Sequence, residues 1–242
     1  MSHTDSARAE QIRANLRVAR DRIETACDKA GRDPAEVTMI AVTKTYPAED
    51  VRILASSGVT DIGENRDQEA APKAAETADL ELTWHFVGQL QTNKARSVAS
   101  YASVVHSVDR ARLARALGTR AEAAGRRLTC LVQVNLDEGS KAGVLGPRGG
   151  VDPADALELA ARIDEQEALD LGGVMAVAPL EGDPSTAFGR LEVLADRIRD
   201  RYPRATMISA GMSTDLEAAV ERGATHLRIG TALLGDREPI VG

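Results

Sequence analysis

Apolar positions along this chain switch between two periods. From about residue 6 to 30, Ile12, Leu16, Ala19, Ile23 and Ala26 recur at alternating spacings of four and three, with Arg, Glu and Asp between them. That stripe predicts an amphipathic helix, and Gly31 supplies its stop. The next stretch is different. Val37 to Val42 reads VTMIAV, an apolar and β-branched run with no polar interruption longer than one residue, as expected of a strand buried on both faces. Lys44 follows at once, and Pro47 suits the first turn of a helix that ends near Gly58.

The same exchange of periods repeats to the end of the chain. Strands are predicted at Val59 to Ile62, from Trp84 to the turn at Gly88, at Ser103 to Ser107, Leu128 to Val134, Leu171 to Val177, Thr206 to Ser209 and His226 to Ile229. Helical stretches lie between them. Their predicted starts are a cap at Thr92 or Asn93, a cap at Asp109, the Asp152-Pro153 and Asp183-Pro184 pairs, and a capping box formed by Thr214 and Glu217. An Ala-rich helix over about 66 to 77 carries Pro72 inside it, and Gly223 ends the helix that follows the capping box. The longest irregular connection is NLDEGSKAGVLGPRGG, a Gly-rich loop containing Lys141; loops of that length are usually functional.

Eight strands alternating with helices, without a linker or a shift in composition, predict one (β/α)8 TIM barrel spanning residues 1–242 as a single domain. The length of 242 residues agrees with the usual size of such barrels, about 250. Only about a dozen residues follow the eighth strand, so the extra N-terminal helix is expected to occupy the vacant place in the outer ring.

Composition narrows the class. Apolar residues make up 43% and aromatics only 2%, so Ala, Val, Leu and Ile must fill the core. The formal charge of -7 has its signs interspersed, which argues against a nucleic-acid surface. Cys27 and Cys130 stand far apart, as buried thiols of a reducing compartment would. The N-terminus lacks a signal-peptide core, and no apolar run approaches the ~20 residues of a membrane span. A soluble cytoplasmic protein is the expectation.

The candidate chemistry sits at predicted strand ends, the ligand face of an α/β barrel. Lys44 occupies the first such junction, where it either bends to solvent or offers an amine to a ligand. The seventh strand leads into Ser209 to Ser213, reading SAGMS, directly before a helix start; the eighth ends in Arg228-Ile229-Gly230-Thr231. Amides at such turns favour an anion, although Ser213 could simply cap its helix and Gly230 could be an ordinary turn. Taken with Lys44, the two turns suggest a phosphorylated carbonyl compound held as a Schiff base. Arg228 either pairs inside the barrel or faces a ring nitrogen, which a permanent cation would keep unprotonated. His85 is either a hydrogen-bonded core histidine or a ligand contact, and Asn65 either caps a helix or reaches the ligand. His106 and His226 form no recognisable metal set.

AVTKTYP at 41–47, IGEN at 62–65, WHFVGQLQTNK at 84–94, HSVDR at 106–110, QVNLDEGSKAGV at 133–144, GVMAVAP at 173–179, SAGMSTD at 209–215 and RIGTALLG at 228–235 together resemble the pyridoxal phosphate homeostasis proteins, the YggS/PROSC family, in order and over nearly the whole chain. The resemblance implies a barrel like the N-terminal domain of bacterial alanine racemase, with pyridoxal 5'-phosphate (PLP) at the strand ends. Lys44 then matches the Schiff-base lysine. Ser209, Ser213, Gly230 and Thr231 match the phosphate turns, with the bonding serine left open; Arg228 matches the arginine facing the pyridine nitrogen; Asn65 matches an asparagine near the ring. His85 is carried as a cofactor contact. The chain departs from the family's usual pattern at Arg66 and Asp67, where an aromatic often stands, and at Ala210, often Met. The implied role is a non-enzymatic carrier that buffers PLP or delivers it to PLP-dependent apoenzymes, acting as a monomer. The alternative is a weak PLP-dependent racemase, for which neither Tyr46 nor Tyr101 is an evident second acid or base.

Overall fold

The alternation resolves into eight strands whose inward and outward faces are both buried. The computed structural model describes residues 3–137 and 149–235. Strands β1 (Thr38–Val42), β2 (Asp61–Glu64), β3 (Thr83–Phe86), β4 (Val104–Val108), β5 (Leu128–Gln133), β6 (Leu169–Met175), β7 (Met207–Ser209) and β8 (His226–Ile229) pair in parallel in sequence order. β8 closes on β1 through Thr38 opposite His226 and Ala41 opposite Ile229. The helices among the described residues are α1 (His3–Ala30), α2 (Ala48–Ser56), α3 (Asp67–Glu76), α4 (Ala95–Tyr101), α5 (Ala111–Ala123), α6 (Ala156–Asp164), α7 (Pro184–Arg201), α8 (Leu216–Glu221) and α9 (Thr231–Leu234). This is the expected (β/α)8 TIM barrel with an additional N-terminal helix.

Alternate residues on each strand explain how so few aromatics suffice. Ala41, Ile62, Trp84, Phe86, Val105 and Val132 face outward and join the apolar stripes of the helices in one continuous core. Gly31, at a φ of +65°, turns the chain out of α1. Ile12, Leu16 and Ile23 of α1 are buried, each contributing about 1.5–3 kcal/mol by removal from water. α1 packs on α8, α9 and α2, which fills the gap left by the short α9. Two polar ties fix it there. The Asn15 amide donates to the Leu233 carbonyl at 2.9 Å, and Arg22 pairs with Glu217 at 2.8 Å.

Local capping is where the sequence reading needs correction. Pro47 precedes α2 as its cap residue instead of sitting in the first turn. The Ala95 helix has no side-chain cap from Thr92 or Asn93, because residues 92–94 form a separate 3-10 turn. Asp109 is spent on the Arg110 guanidinium, which also reaches the Leu90 carbonyl. Asp152 caps a preceding turn through Ala154, and α6 begins later, after Asp155. Glu217 is taken by Arg22, so the capping box does not form; Asp215 instead accepts from the Met212 amide at 2.6 Å. Asp183 does cap α7, through Ser185 and Thr186. β2 and β6 are displaced by two residues from their predicted places, β2 toward the C-terminus and β6 toward the N-terminus. Each is displaced by register with a neighbour, Asp61 lying opposite Thr83 and Leu169 opposite Leu128. Cys27 and Cys130 are buried free thiols. Lys141 lies outside the described residues, as does most of the Gly-rich loop.

Candidate functional site

The turn after β1 is held from outside the barrel by α3. The Lys73 ammonium donates to the Thr43 carbonyl at 2.8 Å and forms a buried ion pair with Glu64. The Thr43 hydroxyl donates to the same Glu64 carboxylate at 2.7 Å, and the Thr45 amide donates to Glu69 at 2.6 Å. Thr45 itself has a φ of +74°, a left-handed conformation that a β-branched residue seldom adopts. Such strain persists only where the surroundings over-determine it. Lys44 is thereby fixed between two clamped threonines, with its side chain exposed at the mouth.

Lys44 shares one cleft of about 420 Å³ with Asn65, Arg66, Tyr46, Gly230 and Thr231. The chain order at the rim depends on two close approaches. A Cβ on Gly88 would lie 2.1 Å from the Asn65 carbonyl oxygen, so glycine is required for the loop after β3 to pass. A Cβ on Gly230 would come within 3.3 Å of the Val42 carbonyl oxygen, which draws the β8 turn tightly beside β1. The Tyr46 hydroxyl donates to the Gly235 carbonyl at 2.7 Å and ties the first turn to the last.

The two late turns also meet. Ser213 Oγ accepts from the Ala232 amide at 3.4 Å, while Arg22 of α1 donates to the Ser213 carbonyl at 3.1 Å. Ser209 behaves differently. It is fully buried, and its hydroxyl lies 2.7 Å from Arg228 Nη1 and 2.8 Å from His106 Nδ1. The structure thus brings Lys44, Asn65, Gly230 and Thr231 to one cleft, sets Ser213 against the turn that lines it, and places Ser209 inside the barrel.

Arg228 and His85 belong to a polar file through the barrel interior. Arg228 Nη2 donates to the Ala176 carbonyl at 2.8 Å. From Ser209 the file continues to His106, whose Nε2 lies 2.9 Å from His85 Nδ1; His85 Nε2 lies 3.0 Å from Asp61 Oδ1. Burial pushes the Arg228 guanidinium down to about 10, opposed by the Asp215 charge. Burial likewise holds His106 well below its ordinary range, with the neighbouring Arg228 charge adding to the effect. His85 is therefore a core histidine in the file. From sequence, His106 stands only as a rejected metal ligand, and Asp61, Glu64, Glu69 and Lys73 are not singled out. His106 alternates with buried neighbours on its strand and was legible as inward-facing; the others depend on contacts between distant segments.

The residues fit an aldehyde carrying a phosphate. An amine stands beside two turns able to grip an anion, and a buried guanidinium lies below them without a carboxylate bonded to it among the described residues. Among those residues there is also no group of three or more His, Cys, Asp or Glu placed to hold a metal, and no helix long and apolar enough to cross a membrane.

The family description "Alanine racemase, N-terminal domain" matches residues 8–238. The chain is 42% identical to the pyridoxal phosphate homeostasis protein of Mycobacterium tuberculosis strain H37Rv, over 95% of this chain and 94% of that one. It is 38% identical to the protein of the same name from Escherichia coli K12, over 94% and 97%. Among solved structures, PipY of Synechococcus elongatus PCC7942 with PLP bound superposes with a TM-score of 0.79 at 35% identity, covering 93% of this chain and all of that one. Alanine racemase of Clostridium difficile 630 superposes at 0.73 with 13% identity, over 96% of this chain and 58% of that one, a likeness of fold alone. The chain accordingly belongs to the alanine racemase N-terminal domain family, within the group whose curated members are named pyridoxal phosphate homeostasis proteins.

Proposed function

We propose that this protein binds PLP reversibly at Lys44 and serves as a carrier that buffers the cofactor or delivers it to apoenzymes. The observation that carries the reading is the convergence of Lys44 with the Gly230-Thr231 turn in one cleft, with Ser213 hydrogen-bonded to that turn. PLP brings an aldehyde open to a primary amine, a phosphate dianion and a pyridine ring. Lys44 Nζ would be the amine that takes up the aldehyde, reversibly and with loss of one water. The amides of the Gly230-Thr231 turn, with the Thr231 and Ser213 hydroxyls, hold the phosphate, and Asn65 flanks the ring.

With PLP bound, Arg228 would serve the pyridine nitrogen as a donor and keep it unprotonated, because a guanidinium remains a donor even when burial lowers it to about 10. An unprotonated ring is a weak electron sink, which suits storage better than carbanion chemistry. Ser209 acts at one remove, by holding Arg228, and His85 one step further back, through His106 and Ser209. A racemase would need an acid or base on each face of the substrate. The Tyr46 hydroxyl is committed to the Gly235 carbonyl, and Tyr101 is held protonated by burial and by the nearby Asp67 and Glu64 charges. On this reading the protein works as a cytoplasmic monomer.

Incubation with PLP should give a yellow protein with a visible absorption band, and Lys44→Ala should abolish that band. Borohydride reduction followed by peptide mapping should place the label on Lys44. A colourless wild type, or a label elsewhere, refutes the proposal. Exchange of the alanine α-proton in heavy water at a rate above that of free cofactor would favour the racemase reading.

A further inference from the structure

The file Arg228, Ser209, His106, His85, Asp61 has ends of opposite character. A guanidinium can only donate and an ionised carboxylate can only accept, while a serine hydroxyl and a neutral imidazole each offer one donor and at least one acceptor. The four contacts between these five groups measure 2.7, 2.8, 2.9 and 3.0 Å from Arg228 to Asp61. With both imidazoles neutral, a single arrangement satisfies all four. Arg228 donates to Ser209 Oγ; the Ser209 hydroxyl donates to His106 Nδ1; His106 Nε2–H donates to His85 Nδ1; His85 Nε2–H donates to Asp61 Oδ1. Reversing the two imidazoles would point a bare nitrogen of His85 at the carboxylate. Adding a proton to His85 would place a second buried cation on a file that already carries Arg228, at a high desolvation cost.

We infer that Asp61 is a positioning residue for Arg228: from the floor of the barrel it orders the protons of the file, so that Ser209 meets the guanidinium purely as an acceptor. Asp61 is suited to this end. It is only partly buried, lining a floor cleft beside Thr60 and Thr38, and its other carboxylate oxygen accepts from Thr60 Oγ1 at 3.0 Å. Ser209 Oγ and the Ala176 carbonyl then hold Arg228 Nη1 and Nη2, and the remaining N–H groups of the fork are left to a ring nitrogen. The role of the order in cofactor binding rests on the function proposed above; the order itself does not.

The test is nitrogen-15 NMR of the histidine side chains in the full-length protein without cofactor, at pH 7.5. Both His85 and His106 are expected as Nε2–H tautomers. Asp61→Ala, which removes the acceptor, should turn both signals toward a tautomer mixture and weaken PLP binding by about 3- to 10-fold, the net worth of one hydrogen bond. Asp61→Asn, whose carbonyl can still accept, should restore the order and most of the affinity. An Nδ1–H tautomer at either histidine, a doubly protonated His85, or an unchanged spectrum in Asp61→Ala overturns the inference, as does failure of Asp61→Asn to restore it. Should Asp61→Ala not fold, the wild-type tautomers decide alone. A protein that shows the predicted tautomers but stays colourless with PLP refutes the proposed function and leaves the relay standing.

Discussion

The Lys73 ammonium lies 2.8 Å from the carbonyl oxygen of Thr43, the residue immediately before Lys44. It reaches that position from α3 while paired with Glu64, which has no exposed surface. Burial pushes the Glu64 carboxyl above its ordinary range, against the bonds from Lys73 and Thr43 that favour its charge. Lys73→Met should therefore be costly, about 3–5 kcal/mol, since it strands a buried carboxylate. Glu64 can escape by taking up a proton. A folded-state value raised further above the unfolded one contributes stability at low pH that is lost as pH rises, so the deficit should be smaller at pH 5 than at pH 8. Urea midpoints at both values check this, and a deficit independent of pH would count against an uncompensated Glu64. Lys73→Met with Glu64→Gln should recover part of the loss.

Gly88 and Gly31 separate backbone clash from backbone conformation. Alanine at Gly88 must displace the Asn65 backbone, because its Cβ would stand 2.1 Å from that carbonyl oxygen. The expected cost is about 1–3 kcal/mol, with a loss of PLP affinity as the cleft wall shifts. Alanine at Gly31 meets no atom within 4 Å but must keep a φ of +65°, costing about 1–2 kcal/mol. Its PLP affinity should be unchanged. Equal affinities in the two variants would show that the Asn65 wall does not shape the site.

The barrel was legible because its signal is periodic and repeated. Each strand from Val37 onward is a short apolar run between helical stripes, and β8 falls on its predicted residues, His226 to Ile229. The cleft was legible in part for the same reason: Lys44, Gly230 and Thr231 each follow a strand, and strand ends share one face of a barrel. Caps were the weak point. Asp109, Thr214 and Glu217 have capping chemistry, but Asp109 and Glu217 are claimed by Arg110 and Arg22, and in the last pair the partners are 195 residues apart. Ser209 and Ser213 could not be told apart by sequence either, since their different roles depend on which faces inward from β7 toward Arg228 and His106. Spacing cannot carry that information; the barrel's closure does.

His226 predicts the first acid limb of the stability profile. Burial pushes it down to about 4, and the nearby Asp61 carboxylate opposes the shift. An unfolded histidine titrates near 6.5. Between those values the unfolded chain binds more protons, so stability falls as pH drops from about 6.5 to 4, by roughly 3 kcal/mol in all. His106, also held neutral by burial, acts in the same direction. Asp61 works in a different window. Despite the cost of burial, its bond from His85 holds it below the usual carboxylate range, so its contribution is present above about 3.9 and lost only below that. Chemical denaturation across pH 4–8 should show the loss beginning above the carboxylate range, and His226→Gln should flatten it. An unaltered slope in that variant would exclude His226 as the cause.

Arg22 offers a test of the phosphate turn that leaves the cleft itself intact. It stands on α1, pairs with Glu217 at 2.8 Å, and donates to the Ser213 carbonyl at 3.1 Å. Its ion pair is substantially exposed and contributes little stability, about 0–1 kcal/mol. The bond to Ser213 matters through geometry, because it fixes the residue whose hydroxyl meets the Ala232 amide. Arg22→Ala should thus lower the melting temperature by only a few degrees, about what 1 kcal/mol shifts in a domain of this size. Affinity for PLP should fall about 3- to 10-fold, as expected for a single misplaced hydrogen-bond partner. Pyridoxal, which has the aldehyde and the ring but no phosphate, should bind Lys44 equally well in wild type and variant. The ratio of the two affinities, read from the visible band, isolates the phosphate grip from general loosening. An equal loss for both ligands would mean that α1 steadies the whole mouth, and that Ser213 has no special share in holding the anion.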